Sequence, residues 1–217
     1  MMNYRLSRRG GFVAVGFLLL LMQGALPLSV ARGSEPVDLR DIRVGMSVKD
    51  LPDGGYTNFS CAADPTQKLS GWESWKQCPG GADGMHAVRF DYDLATSREG
   101  TIVAGHPVIL TLLVDDQASV AGLQIDTDSK ARLYIRKKAF LLGMQAKSRY
   151  GSEGWACTGA QPSAQEEPVG GVYVNERCTK AVTGRSVVVE RRLFRRPDQD
   201  MKTFVDETRI TILRAKS

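Results

Sequence analysis

The sequence predicts an α+β protein of antiparallel sheets with few helices, arranged as two similar disulfide-containing halves. Three observations predict it. Residues 88–92 (Val-Arg-Phe-Asp-Tyr) and 208–213 (Thr-Arg-Ile-Thr-Ile-Leu) alternate in character with the period of two that a sheet with one wet face requires. One stretch alone, residues 129–142, is a good helix candidate. Four cysteines fall two to each half of the chain, Cys61 and Cys78, then Cys157 and Cys178.

The chain opens with an export signal. Arg5, Arg8 and Arg9 stand without an acid in the first 31 residues, and residues 12–22 form an uninterrupted apolar run. This is the charged region and short apolar core of a secretory signal peptide. The run falls short of the roughly 20 apolar residues that span a bilayer. Gly24 and Pro27 then break the helix, and Ser29 and Ala31 supply small side chains for cleavage after Ala31, with Gly33 the next candidate. Residues 1–31 therefore read as a signal peptide, 32–127 as a first α+β repeat and 128–217 as a second. The expected location is periplasmic or secreted. No cysteine follows the apolar run directly, which argues against a lipid anchor, and no later stretch predicts a stable membrane span.

Charge argues against nucleic acid as a partner. The chain has 29 basic and 24 acidic residues, and removing the three leader arginines leaves 26 bases against 24 acids. A nucleic-acid binder needs a basic face, not a basic leader. Two local clusters, Lys130/Arg132/Arg136/Lys137/Lys138 and Arg191/Arg192/Arg195/Arg196, read as solvated faces.

An even number of cysteines in an exported chain reads as disulfides. Zinc sites bring ligands two to four residues apart, whereas the nearest cysteines here are seventeen apart, and His86 and His106 lie near neither pair. No metal or other cofactor is expected. Four cysteines allow three pairings; Cys61–Cys78 and Cys157–Cys178 are favoured because each pair flanks a loop poor in core-forming residues.

Along the mature chain, residues 35–41 read as a lead-in, 42–46 as a short extended segment and 52–55 (Pro-Asp-Gly-Gly) as a turn. Residues 61–83 read as a loop anchored by Trp72 and Trp75. Residues 88–92, 107–114 and 120–125 form three successive strands, the second apolar on both faces, which suggests a meander. In the helix of residues 129–142, Ser129 caps the start, Ala131, Ile135, Ala139 and Leu142 share a face, and Gly143 ends it. Core packing with a basic outer face is preferred to a membrane-surface role, since Leu133, Tyr134 and Phe140 spread the apolar residues widely. Residues 150–157 and 159–171 read as loops, and 186–194 and 208–213 as strands.

No catalytic signature stands out. Asp91, Asp93, Asp115 and Asp116 cluster at strand ends and turns, where aspartate is common for its own reasons. His86 and His106 read as surface or edge groups. No serine lies in a nucleophile elbow, and the paired glycines at 54–55, 80–81 and 170–171 lack the lysine and following helix of a phosphate loop.

The order of parts repeats. Gly45-Met46 precedes Cys61 by sixteen residues from the glycine, and Gly143-Met144 precedes Cys157 by fourteen; a second cysteine and two strands follow each time. The segment Ile42-Arg43-Val44-Gly45-Met46-Ser47, with its cysteine sixteen residues on, resembles the repeats of the β-lactamase-inhibitor protein and the small domain of the outer-membrane assembly lipoprotein BamE. That resemblance implies a short helical segment on an antiparallel sheet in each unit, and a binding module acting on another envelope or secreted protein. Pro52, Asp53, Gly54 and Gly55 stand where that group has a helix. The function expected is therefore non-catalytic binding or accessory work; the alternative is a small secreted hydrolase.

Overall fold

A computed structural model describes residues 37–200 and 202–215. The signal peptide expected at residues 1–31 lies outside the described residues. Nine strands follow in the order β1 (Tyr56–Cys61), β2 (His86–Tyr92), β3 (Ile102–Val103), β4 (His106–Val114), β5 (Val120–Thr127), β6 (Ala156–Gly159), β7 (Val174–Val182), β8 (Arg185–Phe194) and β9 (Val205–Arg214). They form one sheet in the spatial order β1-β2-β4-β5-β9-β8-β7-β6, with β3 paired to the start of β4. Every neighbouring pair is antiparallel. The chain thus runs from one edge inward to β5, crosses to the opposite edge, and works back to β9. The two runs meet where Leu123 pairs with Ile212 and Ile125 with Ile210.

Period-two alternation decides which face is buried. Val88, Phe90, Leu110, Leu112, Leu123, Ile125, Ile210, Ile212, Val187 and Val189 all point to one side and belong to one core. Burying each such side chain contributes about 1.5–3 kcal/mol. A 3-10 helix, Trp72–Gln77, packs over β1 and β2, and a helix from Phe140 to Arg149 packs over β8 and β9. Trp72 and Trp75 do anchor the loop of residues 61–83: both are buried, Trp72 donates from Nε1 to the Pro52 carbonyl at 3.1 Å, and its ring meets Tyr56 and Phe90 edge-on. The strand at 107–114 alternates after all, because Ile109 and Leu113 face away from the core and are half-buried.

The helix differs from the sequence reading. Instead of one helix over 129–142, there is a short α1 (Leu133–Arg136), a turn, and α2 (Phe140–Arg149). Ser129 does not cap it; Asp128 Oδ1 accepts from the Lys130 amide at 2.8 Å in the turn before it. At the bend, Thr208 on β9 donates its hydroxyl to the Ala139 carbonyl at 2.7 Å. Gly143 lies inside α2, not at its end. A Cβ there would stand 3.2 Å from Val189 Cγ1 and 3.4 Å from Thr208 Cγ2, so the glycine lets the helix lie close on the sheet.

Two further expectations fall. Residues 150–157 and 159–171 are loop-like only in part, since β6 starts at Ala156 and pairs with β7, a strand of nine residues that sequence reasoning passed over. The lead-in contributes to the core through Asp38 and Leu39, in its described part, residues 37–41. Leu39 is buried, and the buried Asp38 carboxylate accepts from Arg185 Nε on β8 at 2.9 Å, from the Val44 amide at 2.7 Å and from the Tyr150 hydroxyl at 3.3 Å. A buried charge persists only when its lone pairs are met in this way.

Candidate functional site

The Trp72–Gln77 helix and α2 pack into the core on one side of the sheet, and the other face of the strands opens on a concavity. Strand register assembles that open face row by row. Asp126 on β5 stands beside Arg209 on β9, Arg209 beside Glu190 on β8, and Glu190 beside Arg177 on β7. Charge therefore alternates across four strands. Asp126–Arg209 and Glu190–Arg177 are ion pairs at 2.5 Å, and in the next row Arg192 meets Glu207 at 3.0 Å. Partial burial disfavours the Arg209 cation, yet Asp126, Glu190 and Glu207 together raise its pKa above the usual guanidinium value.

A parallel row carries one charge, Arg89, followed by the uncharged Thr111, Gln124, Thr211 and Val188. Beyond it lies an apolar row of Ala87, Leu113, Gly122 and Leu213. Gly122 is required there, since a Cβ would come within 2.6 Å of Leu213 Cδ2 and 2.8 Å of the Ile212 carbonyl oxygen. The face encloses a concavity of about 690 Å³ whose lining includes Arg89, Thr111, Leu113, Gln124, Asp126 and Arg209. At its β2 end, Arg89 Nε is buried with no hydrogen-bond partner. An unmet buried donor is costly, and an acceptor brought by a ligand would meet it.

Of the acids and histidines singled out from sequence, Asp91 lies on the same face of β2 as Arg89 but does not line this concavity, and the others are placed elsewhere. Asp91 accepts from Asn58 and Thr101, and Asp93 holds the Ala95 amide. Asp115 caps the β4–β5 turn and pairs with Arg214 at 2.6 Å. Asp116 is an exposed carboxylate 3.4 Å from His86 Nε2. His86 lies against the Trp75 ring with Nδ1 2.7 Å from the Cys78 carbonyl, and is half-buried. His106 is buried, contrary to a surface or edge role: it opens β4, pairs with Val103 of β3 and lies near Asp206 at the start of β9. Its neighbour Asp206 has a carboxyl pKa raised by burial, against the pull of Arg191, His106 and Arg136.

The two basic clusters differ. Arg191 pairs with Asp206, Arg192 with Glu207 and Arg195 with Glu167. Lys130, Arg132, Lys137 and Lys138 show no ion pair among the described residues, and with Arg136 they surround α1. Cys61 is bonded to Cys78 and Cys157 to Cys178. Among the described residues no helix is long and apolar enough to cross a membrane.

What sequence reasoning missed is the open face itself. Its charges were visible in β8 and β9, but the pairing of β5 with β9 joins residues more than eighty positions apart, such as Asp126 and Arg209. No family model, curated protein or solved structure matches this chain.

Proposed function

We propose that this chain is an exported, non-catalytic binding protein that receives another envelope or secreted protein on its open sheet face. The observation that carries the reading is that face: a sheet whose two core-packed helices share one side, with a concavity of about 690 Å³ on the other, charge alternating across four strands and the unmet Arg89 donor at one end. Alternating charge gives register and specificity to an incoming surface more than raw affinity. The apolar row through Leu113 and Leu213 supplies the desolvated strip that interface energetics need.

The same reading takes the chain as two similar halves. In its support, the strands β1, β2, β4 and β5 run in chain order from one edge to the centre, β6 to β9 do so from the other, and each run carries one disulfide. The resemblance to the β-lactamase-inhibitor and BamE group implies one disulfide in each half. Export accords with the two disulfides, which form and persist in oxidising compartments.

A photo-crosslinking amino acid placed at Thr211, in the middle of the open face, tests the proposal against one placed at Ser148 on the helix side. Irradiation in envelope extract is expected to give a discrete protein adduct from position 211 and none from 148. An adduct from 148 alone, or from neither, would overturn it.

A further inference from the structure

The disulfide of the second half has the geometry of a reactive site. Cys157 and Cys178 stand directly opposite each other on β6 and β7. The Ala160 amide donates to the Asn175 carbonyl at 2.8 Å, so in this ladder the hydrogen-bonded pairs are 160/175, 158/177 and 156/179. The cysteines therefore occupy a non-hydrogen-bonded position of a four-residue edge strand whose residues are all exposed.

The two sulfurs are not equivalent. Cys157 is exposed and Cys178 is fully buried. Lys147 reaches down from α2 and places its Nζ 3.1 Å from Cys178 Sγ and 4.0 Å from Cys157 Sγ; Glu176 Oε2 stands 3.3 Å from the ammonium, and a carboxylate oxygen of Glu176 lies within 4.8 Å of both sulfurs. An ammonium beside a sulfur stabilises its thiolate, and a disulfide opens faster when its leaving thiol has a lower pKa. The accessible sulfur and the sulfur with the cation are thus the two that an exchange reaction needs in those roles.

We infer that Cys157–Cys178 is a site of thiol–disulfide exchange that accepts an external thiolate, from a protein dithiol or from a small thiol. The thiolate attacks Cys157 Sγ and forms a mixed disulfide, while the S–S bond to Cys178 breaks and Cys178 leaves as a thiolate held by the Lys147 ammonium. A second thiolate from the donor then attacks the donor sulfur of the mixed disulfide and releases Cys157. Two electrons pass from the donor, which is left as a disulfide, and the two cysteines take up two protons. Release of the bond removes the cross-link that clasps β6 to β7. The inference does not depend on the binding role of the open face.

The test is limited reduction of the oxidised full chain with reduced glutathione in one arm and a thioredoxin-type dithiol protein in another, quenched with an alkylating agent and mapped by peptide mass. Cys157 and Cys178 are expected to be alkylated about tenfold or more ahead of Cys61 and Cys78, with any glutathione adduct on Cys157. Reaction in either arm supports the site and identifies the class of donor. Lys147→Met should slow the opening about threefold or more while leaving the thermal midpoint of the oxidised chain in place, and Lys147→Arg should retain the rate. Glu176→Gln, which frees the ammonium, should raise it. Equal reduction of the two disulfides, an adduct on Cys178, or an unchanged rate in Lys147→Met would overturn the inference.

Discussion

The two disulfides close loops of similar length, 17 and 21 residues, yet they sit in opposite surroundings. Cys61–Cys78 lies in the core, with Cys61 fully buried and Cys78 2 % exposed, beside the Trp72–Gln77 helix and the aromatic cluster of Tyr56, Trp72 and Phe90. Cys157–Cys178 clasps an exposed edge strand to its neighbour. The sheet edges differ in the same way. β1 is bulged between Thr57 and Ser60, with Asn58 at φ 57°, and its outer side is covered by backbone bonds from Leu69 to Phe59 and from Cys61 to Gln67. Covering and bulging an edge is how a sheet is protected from stray pairing. Loop-closure entropy alone makes the two bridges equals at about 3 kcal/mol each; burial is what separates them.

The sharpest way to break that comparison is to remove each bridge in turn. Replacing Cys61 and Cys78 by alanine should cost the loop-closure contribution plus a cavity among the tryptophans, about 3–5 kcal/mol in urea unfolding. Replacing Cys157 and Cys178 should cost at least about 1 kcal/mol less, because the released strand frays into water without opening the core. Equal losses would mean that loop length governs and burial does not.

A smaller effect is expected at alkaline pH, at the contact that ties the start of the described chain to α2. Burial, and then the Asp38 charge, push the Tyr150 phenol up to about 12. A group whose folded pKa is raised contributes stability that is present below its unfolded value near 10 and is lost as pH climbs through about 12. The thermal midpoint should therefore fall across that window, and Tyr150→Phe should flatten the fall. An identical fall in the variant would place the loss elsewhere.

Much of the sheet is legible in the sequence wherever one face is apolar and the other charged, as in residues 88–92, 186–194 and 208–213. β7 escapes because Glu176, Arg177 and Lys180 put charge on both of its faces: Glu176 answers Lys147 on the helix side and Arg177 answers Glu190 on the other. Asp38 escapes because a lone acid in a polar lead-in gives no sign of the arginine it meets 147 residues later. Gly143 reads as a helix end because a glycine after an apolar turn usually is one; only the nearness of Val189 and Thr208 gives it another purpose. The open face fails to show for a different reason. Each strand displays its own charges, but which carboxylate meets which guanidinium depends on the order of strands across the sheet, and no local pattern carries that order.

The measurement that tests the binding face most directly is a charge swap across the central pair, Asp126→Arg combined with Arg209→Asp. The pair is preserved with its polarity reversed, while the new aspartate stands beside Glu190; partly exposed charge contacts contribute about 0–1 kcal/mol each, so the thermal midpoint should fall by no more than a few degrees. If the open face receives a protein, the crosslinked adduct at position 211 should disappear in the swapped chain. A swapped chain that folds as before and still yields the full adduct would contradict the account.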